Sequence, residues 1–381
     1  MMAALSQDSP IIIAAGGTGG HLFPAQALAV ELRRRARRVV LVTDDRGLKW
    51  HDQFPDTEFH RTISGTVTQS GVLARSIGLA KLVLGTVQAL YLLFLKRPRV
   101  VIGFGGYPSL PTMFAAILRR DPTFVHEQNG VMGRANRLIA SRVDQIALTF
   151  PDPIGLKPAL REKSEITGNP VRESVVDMRD VPYPHMAPEG PFNLLIFGGS
   201  QGAKVFSDVV PKAVAALPSD VRDTFRITQQ CREEEKSQVE TAYRAMNVRA
   251  TVRPFFDDLP RRMAEAHLVV CRSGASTVCE LSVIGRPALL VPLPGAIDGD
   301  QSANAATLVK AGGAWLIQES DFTADDLTEK LVQLYRAPER LQTAAGAARA
   351  QGRPDAAKQL ADTVERLANY TTATHVAKGA A

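Results

Sequence analysis

IIIAAGGTGGHLFPA, residues 11–25, and LLIFGGSQGAKVFSD, residues 194–208, decide the fold. Each opens with a short, continuously apolar run, breaks at a cluster of glycines and resumes with helix-forming residues. An apolar run of this kind suits a strand buried on both faces, as in a parallel sheet covered by helices. The glycines suit a turn in which backbone N–H groups approach a ligand, at a helix N-terminus carrying partial positive charge.

Outward from these two stretches, strand-like runs alternate with helix-period segments. In the first half the strand candidates are residues 11–15, 39–43, 100–104, 123–126 and 145–148. In the second they are 194–197, 251–254, 268–271, 288–291 and 314–317. Helices are expected at 24–34, 204–216, 277–284 and 301–311. Pro170, Pro182, Pro184, Pro188 and Pro191 cluster between the halves and read as a linker. The fold class is therefore α/β, with two Rossmann-like parallel-sheet domains in tandem and ligands outside the carboxyl ends of the strands.

Composition agrees with a globular protein of two domains. The 381 residues are 45% hydrophobic and 22% charged. A net charge of +6 favours anionic partners in general, and no nucleic-acid-binding pattern accompanies it. Three cysteines, Cys231, Cys271 and Cys279, form no CxxC and read as free thiols. The N-terminal MMAALSQDSP lacks a basic region followed by an apolar one, so the bulk of the chain is expected in the cytoplasm.

Five segments carry candidate chemistry. Gly16, Gly17, Thr18, Gly19, Gly20 and His21 form a phosphate-type turn that is neither the dinucleotide fingerprint nor a Walker loop. A second turn, GFGGYPS at residues 103–109, also follows a strand, and the two together suit one diphosphate. Gly198-Gly199-Ser200-Gln201-Gly202 matches the G-x-S-x-G elbow of serine hydrolases, but only His267 and His375 follow it. The Arg272–Thr277 stretch precedes a helix bearing Glu280, whose carboxylate suits the hydroxyls of a ribose; an N-cap with a first-turn acid fits the spacing equally. Asp298-Gly299-Asp300 resembles a metal-binding D-x-D, yet three residues in a Gly/Asp loop justify no metal site.

Residues 77–95, IGLAKLVLGTVQALYLLFL, are apolar almost all round. A span would remove a crossover that the sheet needs. A core helix and a helix half-sunk in a membrane interface both stay open. Arg75, Lys81, Lys96, Arg97 and Arg99 surround the segment and suit an anionic leaflet. The membrane contacts expected on the second reading are Leu92, Leu93, Phe94, Lys96 and Arg97.

In order along the chain, GGTGGH, GFGGYPS, HEQN (126–129), TGNPVR (167–172), GGSQGA, RPFFDDL (253–259), CRSGASTVCEL (271–281) and DQSANA (300–305) closely resemble the MurG family. The resemblance implies a GT-B fold, two Rossmann-like domains facing a cleft. The first would hold residues 1–172 and a helix returning at about 356–372, the second residues 173–355, and 373–381 would be a flexible tail. It also implies inverting transfer of N-acetylglucosamine from UDP-N-acetylglucosamine to the 4-hydroxyl of the muramyl sugar of undecaprenyl-linked lipid I, giving lipid II for peptidoglycan. Implied donor contacts are Thr18, Gly19, Gly20, Asn129, Arg172, Ser200, Phe256, Ala275, Ser276, Thr277, Val278, Cys279, Glu280 and Gln301. Gly16, Gly17, Gly105, Gly106 and Tyr107 would hold the acceptor diphosphate. Phe256 departs from the aliphatic residue usual near the uracil, and residues 36–40 lack a frequent Gly-His.

Inversion needs a base for the acceptor hydroxyl and donors for the leaving UDP. His21 is the candidate base and Glu127 the runner-up. No cofactor is expected to be obligatory, and no nucleic acid partner is expected. The expected location is the cytoplasmic face of the bacterial inner membrane, held peripherally to its anionic surface, with cell-wall synthesis proteins as further partners. The alternatives are a related transferase acting on another membrane lipid, such as a diacylglycerol, and a serine hydrolase using Ser200.

Overall fold

The structure is a computed structural model that describes residues 9–379 apart from 18, 55, 66–71, 188–189 and 200–201; the side chains of 72, 297 and 370–379 are also outside it. Thr18 and Ser200, both expected donor contacts, lie outside the described residues. The chain divides into two compact units, Met1–Arg172 with Asp355–Ala381, and Glu173–Pro354.

The first unit is built on seven parallel strands: β1 (Ile11–Ala14), β2 (Val39–Thr43), β3 (Glu58–Arg61), β4 (Val100–Gly103), β5 (Thr123–Glu127), β6 (Gln145–Leu148) and β7 (Ser164–Ile166), in the order β3-β2-β1-β4-β5-β6-β7. The central strands are buried along their whole length, which is why their sequences are continuously apolar rather than alternating. Between β1 and β4 the strand order reverses direction. The turns that follow these two strands therefore leave the sheet side by side, at the place where open α/β sheets bind ligands.

The helix Ala356–Gly379 belongs to this unit. Leu360, Ala361 and Val364 enter the same core cluster as β1 and the helix Gly19–Arg34. The basic run at residues 33–38 fastens it: Arg35 pairs with Asp362 at 2.6 Å and Glu365 at 2.9 Å, and Arg37 with Glu365 at 2.6 Å. Residues 373–379, read from the sequence as tail, continue the helix.

The apolar segment forms the helix Val72–Lys96, the crossover between β3 and β4. One stripe at helical spacing faces the domain: Gly78, Gly85, Ala89, Leu92 and Leu93 are buried. Gly85 permits the approach, since a Cβ there would stand 1.9 Å from the Ile63 carbonyl oxygen. Gln88 pins the same loop, accepting from Ile63 N–H at 3.1 Å and donating to Arg61 O at 2.7 Å. Leu92 and Leu93 are thus core residues packed among Val40, Val42 and Met113, which corrects their reading as membrane contacts. Lys96 is likewise engaged, with Glu58, whose carboxyl this contact holds down at about 2. Outside this stripe the exposed side chains are mostly apolar: Leu73, Ile77, Leu79, Val83, Leu84, Val87, Tyr91, Phe94 and Leu95 all face outward. A plain core helix does not have such a face.

The second unit carries six parallel strands, β8 (Phe192–Phe197), β9 (Phe225–Gln230), β10 (Arg249–Arg253), β11 (Leu268–Cys271), β12 (Ala288–Leu290) and β13 (Ala314–Leu316), in the order β10-β9-β8-β11-β12-β13. Its reversal point lies between β8 and β11. The proline-rich segment is not a free linker. Arg286, 1% exposed, donates to Val181 O, Pro182 O and Ala264 O, and so straps residues 181–182 to the body of this unit. The domain boundary consequently falls at Arg172, before most of the prolines.

Candidate functional site

In the first unit, the turns after β1 and β4 meet. A Cβ on Gly16 would lie 2.3 Å from the Pro108 ring, so the GGTGGH turn rests directly on the GFGGYPS turn. Gly105 (φ 82°) and Gly106 (φ 74°) adopt left-handed backbone beside the His21 ring. A Cβ on either would stand 3.5 Å from that ring. Ser109 closes the second turn by donating to Gly106 O at 2.9 Å, beside the half-buried Tyr107. His21 thus lies half-buried in the first turn of the helix Gly19–Arg34, against the backbone of Gly105 and Gly106. Burial, and then the charge of Arg46, hold its imidazole down at about 4, so it stands neutral at working pH.

β5 delivers the HEQN segment beside these turns. His126 is fully buried between Gly168 O, to which Nε2 lies at 2.9 Å, and the Gln128 amide, which donates to Nδ1 at 3.1 Å and to Phe104 O at 2.9 Å. It is therefore a neutral, doubly satisfied histidine, held down at about 4 chiefly by burial. Glu127 is 1% exposed and accepts from Asn129 N–H at 3.0 Å, Gly133 N–H at 2.8 Å and Asn136 Nδ2 at 2.8 Å. Burial raises its carboxyl above the usual range. Both of its oxygens are bonded to the loop that follows β5, so it anchors Asn129 in this structure.

Arg172 ends the first unit with its guanidinium 5.0 Å over the Phe23 ring, which meets Trp50 edge-on at 5.2 Å. The sequence reading missed Phe23, although it lies two residues after His21.

In the second unit, Gln230 at the end of β9 holds the Gly198–Gly199 turn: it accepts from Gly198 N–H at 3.1 Å and donates to Gly199 O at 2.9 Å and Pro254 O at 3.1 Å. The helices Lys204–Ala216 and Ala275–Ile284 begin on either side of the reversal point, and the N-cap residue of neither, Ala203 or Gly274, supplies a side-chain cap, so each start suits an anion. Ala275, Ser276, Thr277, Val278 and Cys279 form the first turns of the second helix, with Ser276, Thr277 and Cys279 half-exposed. Glu280 lies in the second turn, 7% exposed. Gln301 accepts from Leu293 N–H at 3.0 Å through Oε1, which fixes the side chain and keeps its –NH₂ as the donor end. A pocket of about 480 Å³ opens beside it, between residues 292–296 and Gln318–Ser320. Phe256 is buried under Arg262, at 4.5 Å.

Arg272 is engaged within the second unit: its guanidinium is buried, donates to Val291 O at 3.2 Å and Pro292 O at 3.1 Å and pairs with Glu319. Asp298 takes left-handed backbone (φ 59°) and Asp300 opens the next helix, with its carboxyl raised by burial. Topology removes His267 from the hydrolase reading. Gly198 and Gly199 follow the carboxyl end of β8, while His267 precedes β11 at the opposite end, bonding to Asn193 at the start of β8 and stacking on Phe192. His375 is among the residues whose side chains are not described.

Two family models match the chain, the glycosyltransferase family 28 N-terminal domain over residues 11–148 and the C-terminal domain of the same family over residues 193–360. A protein of Rhodospirillum centenum is 49% identical over 93% of this chain and 94% of its own length, and one of Methylobacterium sp. (strain 4-46) is 50% identical over 94% and 96%. Both are named UDP-N-acetylglucosamine–N-acetylmuramyl-(pentapeptide) pyrophosphoryl-undecaprenol N-acetylglucosamine transferase. The crystal structure of Acinetobacter baumannii MurG superposes with a TM-score of 0.77 at 27% identity, over 94% of this chain and 99% of that one. Two parallel-sheet domains, each with glycine turns at its reversal point, and relatives half identical along nearly the whole length lead to one conclusion: the chain belongs to the MurG family of GT-B glycosyltransferases.

Proposed function

We propose that this protein moves N-acetylglucosamine from UDP-N-acetylglucosamine to the 4-hydroxyl of the muramyl sugar of undecaprenyl-diphosphate-linked lipid I, inverting the anomeric carbon and giving lipid II. The observation that carries this reading is the near-complete coverage by relatives that bear that name. The geometry supports the division of labour. The second unit offers the donor two helix starts for its diphosphate, Glu280 for the ribose and Gln301 beside the pocket. The first unit offers the acceptor diphosphate the paired glycine turns.

His21 is the base in this scheme: neutral, ring against Gly105 and Gly106, it takes the acceptor hydroxyl's proton as the oxygen attacks. The leaving UDP oxygen is stabilised by helix N-termini, so no divalent metal is obligatory. The lipid tail of the acceptor stays in the bilayer, and the exposed face of the helix Val72–Lys96 lies on the unit that carries the acceptor turns. That face docks the protein peripherally at the cytoplasmic leaflet, with exposed Arg75, Lys81 and Arg97 attracted to anionic lipid.

The test offers radiolabelled UDP-N-acetylglucosamine with a short-chain lipid I analogue or with diacylglycerol. Label on the muramyl acceptor alone supports the assignment. Label on diacylglycerol moves the protein to another class of lipid acceptor.

A further inference from the structure

The turn after β2 brings a cation to the glycine-rich turn that the motifs do not include. β2 runs beside β1, with Val42 opposite Ala14, so the residues leaving their carboxyl ends are neighbours. Asp44 caps the short helix Asp45–Leu48, its Oδ1 accepting from Gly47 N–H at 3.1 Å. Its Oδ2 accepts from Arg46 Nε at 2.9 Å. Held at Nε, the Arg46 guanidinium lies across Gly17. A Cβ on Gly17 would come within 2.6 Å of Nη2 and 2.7 Å of Cζ. Gly17 also has φ 63°, so any other residue there would be strained and would displace the arginine.

The asymmetry of the pair points to a ligand. The Asp44 side chain is 12% exposed and the Arg46 side chain 64%. A carboxylate held mostly inside the fold grips one edge of the guanidinium, and the rest of the fork stands in solvent over the phosphate-type turn. Arginine fixed in this way loses little freedom when its remaining N–H groups meet phosphate oxygens. The glycine turn alone offers only neutral N–H groups, whereas a diphosphate carries charge that a fixed cation offsets. Arg46 is also the charge that His21 senses.

We infer that Arg46 is a phosphate-contacting residue of the first domain, its Nη groups taking an oxygen of a diphosphate seated on the Gly16–Gly17 turn. The inference rests on the proposed transfer between two diphosphate-bearing substrates.

The test measures KM for a short-chain lipid I analogue and for UDP-N-acetylglucosamine in wild type, Arg46→Ala and Arg46→Lys, with melting temperature as the folding control. The acceptor KM is expected to rise roughly tenfold or more in Arg46→Ala, through loss of a charge-assisted contact, with kcat and donor KM little changed and Lys restoring part of the loss. A rise confined to the donor KM would keep the phosphate contact and assign it to the donor diphosphate. Unmoved KM values, or both rising together with a lowered melting temperature, would overturn the inference. If the proposed transfer itself is wrong, wild type shows no turnover, which is distinct from turnover with unmoved KM.

Discussion

Replacing Leu84, Val87 and Tyr91 together by serine removes part of the outward face of the helix Val72–Lys96 without touching its buried stripe. The three are 58%, 58% and 67% exposed, whereas Leu93 is 0% exposed. Full burial of such a side chain stabilises by roughly 1.5–3 kcal/mol, so burying the exposed part of each contributes about 1–2 kcal/mol. Together they amount to ~3–5 kcal/mol, which corresponds to a loss of about two orders of magnitude or more in partition onto vesicles. The assay is flotation with vesicles containing anionic phospholipid at low and high salt. Wild type should float and lose binding as salt rises, since screening weakens the contribution of Arg75, Lys81 and Arg97. The folded triple variant should stay at the bottom while retaining turnover of a soluble short-chain acceptor. Leu93→Ser serves as the contrast, losing about 2–5 kcal/mol of stability instead. A triple variant that stays folded and floats like wild type refutes the docking face, and so does one that unfolds.

Four further outcomes follow from the same geometry. Glu280→Ala should weaken UDP-N-acetylglucosamine binding by ~1–3 kcal/mol in calorimetry, while unchanged affinity in a folded variant would remove the ribose role. Activity should persist in EDTA, because helix starts hold the diphosphate; full loss restored by Mg²⁺ or Mn²⁺ would overturn that reading. His21→Ala should lower kcat by about 10²–10⁴-fold with donor affinity kept, and the acid limb of the wild-type kcat/KM profile should fall well below 6.5, near 4. At His126 the unfolded chain binds a proton below about pH 6.5 and the folded chain only below about 4, so stability is lost as pH falls through that window, at up to about 1.4 kcal/mol per pH unit; urea melts of His126→Asn should show a shallower loss, and identical slopes would contradict this.

The fold was legible where burial dictates sequence. The central strands, apolar from end to end, stand out from their surroundings because both faces are covered. β3, β7 and β9 were missed for physical reasons. β3 (EFHR) and β7 (SEI) are edge strands half open to solvent, so little apolar pattern is required of them. β9 (FRITQQ) spends its last residues on polar work: Gln230 clamps the Gly198–Gly199 turn, and Gln229 serves Phe206 O and Tyr243. The alternation of Phe225 and Ile227 with Arg226 and Thr228 was the available signal. The glycine turns were legible because few other uses explain so many glycines between strand and helix. The partners of those turns were not: Arg46 reaches Gly17, and Phe23 reaches Arg172, through packing that spacing along the chain does not encode. The helix Val72–Lys96 was identified as an element, yet its inward and outward faces emerged only once Gly78, Gly85 and Ala89 defined the side that approaches the domain.

The most direct measurement of the central claim is the structure of the product. The protein is incubated with UDP-N-acetylglucosamine and a short-chain lipid I analogue, and the product is analysed by mass spectrometry and NMR. The account predicts one N-acetylglucosamine added per acceptor, β-linked to the 4-hydroxyl of the muramyl sugar, with one UDP released per transfer. An α-linked product, or UDP-N-acetylglucosamine consumed with no sugar reaching the acceptor, would contradict it.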